Sequence, residues 1–164
     1  MISEDDIFTA LRAFILAVLP TGVEVLITQQ NRVPQPAGPN YVMMTATNRA
    51  FQSAPYHSYR AADGELDTIR STAAGFQLDF YGPASSDYVQ RFATLFRDDY
   101  AYEAMLGTGV VPLYCDDGTQ MPLTNGEKQY EARWMVAVMV QVNPVVSTPM
   151  QFADKVAATI VKAD

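Results

Sequence analysis

Few side chains in this chain could do chemistry. His57 is the only histidine and Cys115 the only cysteine. A Ser-His-Asp or Cys-His arrangement would have to use His57, which lies in the polar stretch SAPYHSYRAADG. A working base is held by packed neighbours, so His57 reads as a surface or interface side chain. Cys115 is followed by Asp116 and Asp117, whose charge raises a thiol's pKa and opposes nucleophilic use. Its expected role is that of a small, half-buried filler. With one His and one Cys, a zinc site would need carboxylates for its remaining ligands, and no finger spacing is present. Asp116-Asp117-Gly118 resembles a piece of a calcium loop, but no later Glu stands where such a loop needs it, so an ordinary turn is expected. Asp98 and Asp99 are adjacent carboxylates beside Arg97. On the helix expected there they point about 100° apart and cannot share a proton. Neither phosphate-binding glycine motif occurs. The expectation is no catalytic residue, no cofactor and no metal.

What remains is recognition by surface. The chain has nine tyrosines, and tyrosine buries a ring while keeping a wet hydroxyl, which suits interfaces as well as the edge of a core. Phe51, Tyr56 and Tyr59 lie in or beside the unpatterned stretch, bracketed by Arg49 and Arg60. If this stretch faces another chain, the two arginines pair with its acids. If it faces a channel, they are the candidate phosphate contacts.

The elements that position these residues follow from periodicity. Ser3 ahead of Glu4-Asp5-Asp6 reads as a helix N-cap, with Ser3 and Asp6 at capping-box spacing. Ile7, Phe8, Leu11, Phe14, Ile15, Val18 and Leu19 then recur at helical spacing, and Pro20 and Gly22 end the helix. Val23 to Gln29 reads as a short strand, Asn31 to Asn40 as a stiff proline loop, and Tyr41 to Gln52 as a second strand. Ser53 to Gly64 reads as a loop or flexible hairpin tip, and Glu65 to Thr72 as a polar strand. Gly75 to Tyr81 alternates clearly, with Phe76, Leu78 and Phe80 on one side. Gly82-Pro83 ends that strand. Ser85 or Ser86 is expected to cap a second helix running to Leu106, with Val89, Phe92, Ala93, Phe96 and Tyr100 as its stripe. Short strands follow at Val110 to Tyr114 and Gln120 to Leu123.

Asn125-Gly126 is a turn signal. A long strand follows, with Tyr130, Ala132, Trp134, Val136, Val138, Val140 and Val142 on one side. Glu131, Arg133, Met135, Ala137, Met139, Gln141 and Asn143 fall on the other. Pro144 is expected to end the pairing. Met135, Ala137 and Met139 leave the second side half polar, which suggests cover by a neighbouring subunit. Pro149 to Asp164 shows weak helical spacing through Phe152, Val156, Ile160 and Val161. The expected fold class is α+β: two layers, a mostly antiparallel sheet with two main helices packed on one face, as one domain over residues 1–164.

Composition narrows the function further. Eleven basic against 18 acidic residues give a net charge of −7. A protein that coats DNA needs clustered Lys and Arg instead, and an acidic soluble surface is the plain reading. A single cysteine rules out an internal disulfide and fits a reducing compartment. The acidic opening Met-Ile-Ser-Glu-Asp-Asp is unlike a signal peptide, and the apolar runs are too short to span a bilayer.

Several strings occur in an order that carries a family resemblance: QQNRVPQPAGPNYVMMT (Gln29 to Thr45), FQLDFYGPASSDYVQRFATLFRDDYA (Phe76 to Ala101), VVPLY (Val110 to Tyr114) and NGEKQYEARWMVAVMVQVNPVV (Asn125 to Val146). Over nearly its whole length the chain resembles the neck-terminator or tail-terminator proteins of tailed bacteriophages. The specificity lies in the number and order of the strings, because none has a chemical mechanism of its own. The resemblance implies a structural virion protein, assembled in the host bacterial cytoplasm. It would form a ring, a hexamer, that ends the tail tube and joins it to the head-completion proteins of the neck. DNA would pass through its lumen without sequence-specific contact, and an acidic wall would let the duplex slide. No membrane is involved.

Patterning nominates the contact residues: Arg49, Phe51, Tyr56, Tyr59 and Arg60 in the unpatterned stretch, the proline loop Arg32 to Asn40, and Glu131, Arg133 and Gln141 on the polar side of the long strand. Charge reversal at Arg133 or Glu131 is expected to weaken the ring without unfolding the domain. The alternatives are another head–tail joining or tail-tube protein, or a small ligand-binding or enzymatic α+β domain.

Overall fold

The structure, a computed structural model, describes residues 2–28, 36–121, 123–124 and 130–151. The Asn125-Gly126 turn, the first half of the proline loop and the tail from Phe152 onward lie outside the described residues. The elements in chain order are α1 (Glu4–Val18), β1 (Glu24–Ile27), β2 (Tyr41–Phe51), β3 (Tyr56–Arg60), β4 (Glu65–Ile69), β5 (Thr72–Tyr81), α2 (Ser85–Phe96), α3 (Asp99–Met105), β6 (Val111–Cys115), β7 (Thr119–Gln120), β8 (Leu123–Thr124), β9 (Tyr130–Glu131), β10 (Arg133–Val142) and β11 (Val145–Pro149). The class is α+β, as expected.

The main sheet runs β1-β2-β5-β10-β6, with β7 also on β10. Only the β1–β2 pair is parallel; β2–β5, β5–β10 and β10–β6 are antiparallel. Alternation along the three central strands sends Val42 and Met44, then Phe76, Leu78 and Phe80, then Val136, Val138 and Val140 to one face, all buried. The helices cover that face. Phe8 meets Phe76 edge-on at 5.2 Å, and Phe14 meets Phe92 and Phe96 at 5.6 and 5.7 Å. Phe92 in turn lies 5.7 Å from Phe80 on the sheet. These rings fill the centre of the space between the layers.

The start of α1 follows the sequence closely. Ser3 Oγ accepts from the Asp6 N–H at 3.1 Å, and the Asp6 carboxylate accepts from the Ser3 N–H at 2.8 Å. Hydrogen bonds from the Ser3 backbone and then its hydroxyl lower the pKa of Asp6 below its ordinary value of 3.8. Its charged form therefore stabilises the fold above that value, and the contribution is lost as pH falls through the lowered one. Ser3→Ala should cost about 1 kcal/mol at pH 7. The difference from the parent protein should shrink below pH 3.8, as urea unfolding at pH 7 and pH 3 will show.

The second helix departs from expectation. It breaks at Arg97 and Asp98. Asp98 is extended, and its carboxylate accepts the Tyr100 N–H at 3.0 Å, which makes it the N-cap of α3. Asp98-Asp99 is thus a helix start and not mid-helix surface. The buried face changes phase at the break: the stripe of α2 ends at Phe96, and α3 buries Ala101 and Met105 while Tyr100, expected to continue the stripe, is 42% exposed. Neither serine caps α2. The cap position is Ala84, whose N–H donates to Asn40 Oδ1 at 3.2 Å, while Ser85 Oγ is buried without a partner.

Two glycines are required by geometry. In β2 one extra residue, Thr47, bulges between Ala46 and Asn48 opposite Gly75, and a Cβ at Gly75 would run into the Asn48 and Thr47 side chains. Gly82 has φ +98°, and a Cβ there would strike the Pro39 carbonyl, so the turn from β5 to α2 admits no side chain.

The expected long strand is interrupted at Ala132 into β9 and β10, and its ladder to β5 ends at Val142, just before Pro144, as expected. Beyond it β11 joins a second sheet ordered β11-β4-β3. Ser53 to Gly64, expected to be a loop or a flexible tip, contains β3, which pairs with β4 over its full length from Tyr56↔Ile69 to Arg60↔Glu65.

Candidate functional site

The second sheet is an arm on one end of the main sheet. At that end Phe51, Thr72 and Val142 stand side by side, and all three strands lead into the arm: β2 into β3, β5 back from β4, β10 into β11. The register sets Tyr56, Ile69 and Val145 abreast, then Ser58, Asp67 and Ser147, then Arg60, Glu65 and Pro149. Every residue of β3 is exposed, and no residue of β4 or β11 is fully buried. A sheet with two wet faces offers no apolar alternation, which is why its residues show no strand period.

The arm is braced at both ends. At its base the Gln52 N–H donates to the Ser71 carbonyl at 3.0 Å, and Arg70 Nε donates to the Ser53 carbonyl at 2.8 Å. The Arg70 guanidinium lies 3.7 Å over the Phe51 ring. At its tip the Met150 N–H donates to the Gly64 carbonyl at 2.8 Å. Along one face Arg60 reaches Asp67 at 2.8 Å, Asp63 at 2.9 Å, Ser147 at 3.2 Å and also Glu65, while Ser147 Oγ donates to Asp67 at 2.6 Å. The Arg60 bond, and then that from Ser147, lowers the Asp67 pKa; the same bond to Asp67 raises that of Arg60. His57 Nδ1 lies 3.1 Å from Thr68 Oγ1.

Of the residues nominated from sequence, Phe51, Tyr56, Tyr59 and Arg60 come together here, the three aromatics 67%, 59% and 58% exposed. Gln141 is half-buried near the base of the arm, donating to Asn143. Arg49, late in β2, ties the sheet to the start of α1 through Glu4 at 3.1 Å. Of the proline loop, only Pro36 to Asn40 are described, and there the Ala37 N–H donates to Glu24 at 2.7 Å.

Glu131 and Arg133 stand at the other end of β10, about 30 Å away along the strand. Arg133 is engaged within the subunit. Its Nη2 and Nε donate to Asp79 Oδ1 at 2.9 and 3.1 Å, and Gln77 Nε2 donates to the same carboxylate at 2.9 and 3.1 Å. Asp79 is 3% exposed. Tyr41 and Tyr81 stack beside the pair at 4.6 Å, with the Arg133 guanidinium 5.7 Å from the Tyr81 ring; burial is the main cause that raises the pKa of both phenols. This cluster gathers around Asp79 polar groups that lie far apart in the sequence. It also removes the basis for treating Arg133 as a solvent-facing contact whose reversal leaves the domain folded.

The arginines are largely spoken for. Among the described residues Arg12, Arg49, Arg60, Arg70, Arg97 and Arg133 each donate within the subunit, and Arg91 does not. Arg60 sits among three acids, so the arm carries more negative than positive charge, and that argues against Arg60 as a phosphate contact. No described group of three His, Cys, Asp or Glu side chains could hold a metal ion. Burial raises the Cys115 thiol's pKa, and its Sγ faces the Ala93 carbonyl at 3.7 Å. No helix among the described residues is long and apolar enough to cross a membrane. The signal that marks the arm in the sequence is the alternation Asp63, Glu65, Asp67 across a turn from Arg60, which sequence reading passed over.

The sequence matches the family described as phage neck terminator protein over residues 5–164. The fold is similar to the sheath/tube terminator, in its extended state, of the extracellular contractile injection system PVC, determined by cryo-electron microscopy. The TM-score is 0.57 at 11% identity, covering 100% of this chain and 65% of that one. At such identity the likeness is one of fold, and this chain spans 65% of that terminator's length. The chain has no match among curated proteins.

Proposed function

This chain belongs to the phage neck terminator family, and we propose that it works as a closed ring seated on the end of the tail tube. Its role in the virion tail is structural and tail-terminating. In the finer reading the ring is a hexamer, a single domain per copy, assembled in the host cytoplasm. It stops tube growth, presents a face to the head-completion proteins and leaves a central passage for DNA. The work is done by shape, and no residue turns over a substrate.

The observation that carries this reading is the braced arm. Three strands extend beyond the core with both faces wet, although a sheet of this size gains stability of its own only by packing. A protein that spends fifteen ordered strand residues in this way is arranged to meet something outside itself. The arginines support the second half of the reading: with most of the described ones bound to acids or carbonyls of the same subunit, the described residues offer a passage little to hold phosphate.

Light scattering on the purified protein, with negative-stain imaging of the same fractions, tests the proposal. Expected are single rings of uniform mass with an open centre of about 20 Å or more, wide enough for a duplex. Long filaments would instead assign the chain to the tube, and monomers at all concentrations would remove self-assembly from the reading.

A further inference from the structure

The arm has two outer edges, β3 and β11, and no described strand pairs with either. Unpaired edges invite another strand, and proteins usually blunt them. The main sheet does so. Its β1 edge is covered by α1, whose Arg12 donates to the Val25 carbonyl at 3.3 Å. Its β6 edge carries Pro112, and the ladder to β10 is irregular there. On the arm, β3 has no proline, lysine or bulge within it, and pairs evenly with β4; β11 carries a proline only as its last residue, Pro149.

We propose that the partner of each edge is a second copy of this chain, with β3 of one subunit pairing along β11 of the next. The inference rests on the ring reading above and gives that ring its seam. The two edges differ, so the contact is heterologous and closes when the rotation per copy closes. Both strands are five residues long. They lie level with each other in the arm, through β4. Charge agrees as well. The one cation of β3, Arg60, is paired with the acids of its own arm, and β11 is uncharged. No like charges are opposed.

Strand direction fixes the sense of the seam. β3 and β11 are each antiparallel to β4, so they point the same way. A rotation about an axis along the strands preserves direction, and β3 therefore meets its neighbour's β11 in parallel. Six copies of a three-stranded arm would close a barrel of about eighteen strands, a size that leaves an aqueous channel. The face bearing Arg60, Glu65, Asp67 and Ser147 tolerates water and lines that channel. The face bearing Leu66 and Val146 turns outward.

Paired cysteines test the seam. Within one subunit Ser58 and Ser147 are separated by β4, about 9.5 Å between backbones, too far for a disulfide. Across the proposed seam they are neighbouring-strand residues about 4.8 Å apart. The variant Ser58→Cys with Ser147→Cys, in a Cys115→Ala background, is oxidised in the assembled fraction and run on a non-reducing gel. Ser58→Cys with Val145→Cys covers a stagger of two residues. Expected is a ladder of covalent multimers ending at the ring, about tenfold stronger than from any single-cysteine variant. Rings seen by light scattering with no ladder from either pair would overturn the seam and leave the ring standing. Dimers as strong from Ser58→Cys alone would overturn it in favour of a two-fold β3–β3 contact. Absence of any oligomer mass would overturn ring and seam together.

Discussion

Arg133→Glu should lower the unfolding free energy by about 3–5 kcal/mol and the melting temperature by roughly 6–20 °C for a chain of this size. The Asp79 side chain is 5% exposed and that of Arg133 22%, so solvent does little to screen the pair. Removing the guanidinium leaves the Asp79 carboxylate with Gln77 alone, and the new glutamate sets a second negative charge against it. Coulomb attraction and hydrogen bonding are lost while the desolvation of Asp79 remains, so the penalty dominates. Replacing both partners, Asp79→Leu with Arg133→Met, removes the buried charge as well and should recover most of the loss. Thermal melts followed by circular dichroism decide this. A single mutant that melts with the parent would show that the pair is solvated in solution, and would return Arg133 to the free surface contacts.

Phe92→Ala should cost about 3–5 kcal/mol, read as a lower urea midpoint at unchanged slope. Phe92 is fully buried and joins the layers: it touches Phe14 of α1, Phe96 of its own helix and Phe80 of the sheet. Deleting the ring removes its transfer free energy and leaves a cavity lined by three aromatic side chains, which cannot all move in to fill it. Leu16 is the control, on α1 but 41% exposed. Leu16→Ala should stay within about 0.5 kcal/mol. Equal losses at the two positions would mean that the helices are not docked through Phe92.

The body of the fold was legible in the sequence because one face of each element is buried. The stripe from Ile7 to Val18 and the alternation of Phe76, Leu78, Phe80 and of Val136, Val138, Val140 report a single core, and the Ser3–Asp6 spacing reports a cap. The arm was not legible as a sheet, since β3, β4 and β11 have no dry face to impose a period. Its aromatic residues drew attention, but the strand pairing behind them did not. Asp79 was passed over for a related reason: an acid on the outer side of an alternating strand looks solvated, and its partner Arg133 is more than fifty residues away. Pro144 was legible as the end of the long strand, but the new strand beyond it was not. This proline ends the ladder to β5 but also turns the chain toward β4, and a proline between strands is consistent with both.

Strand order also bears on when the protein becomes itself during synthesis. β10 pairs with β5, β6 and β7, and β11 completes the arm, yet these are the last described strands to leave the ribosome. Until residues 133–142 emerge, the main sheet lacks a central member and α2 has only part of its bed. Such dependence on distant pairings slows folding. It also means that a nascent chain holds β3 and β4 as a hairpin but has no β11 edge for a neighbour to use. On the proposed seam, completion of the fold and competence to join a copy arrive together.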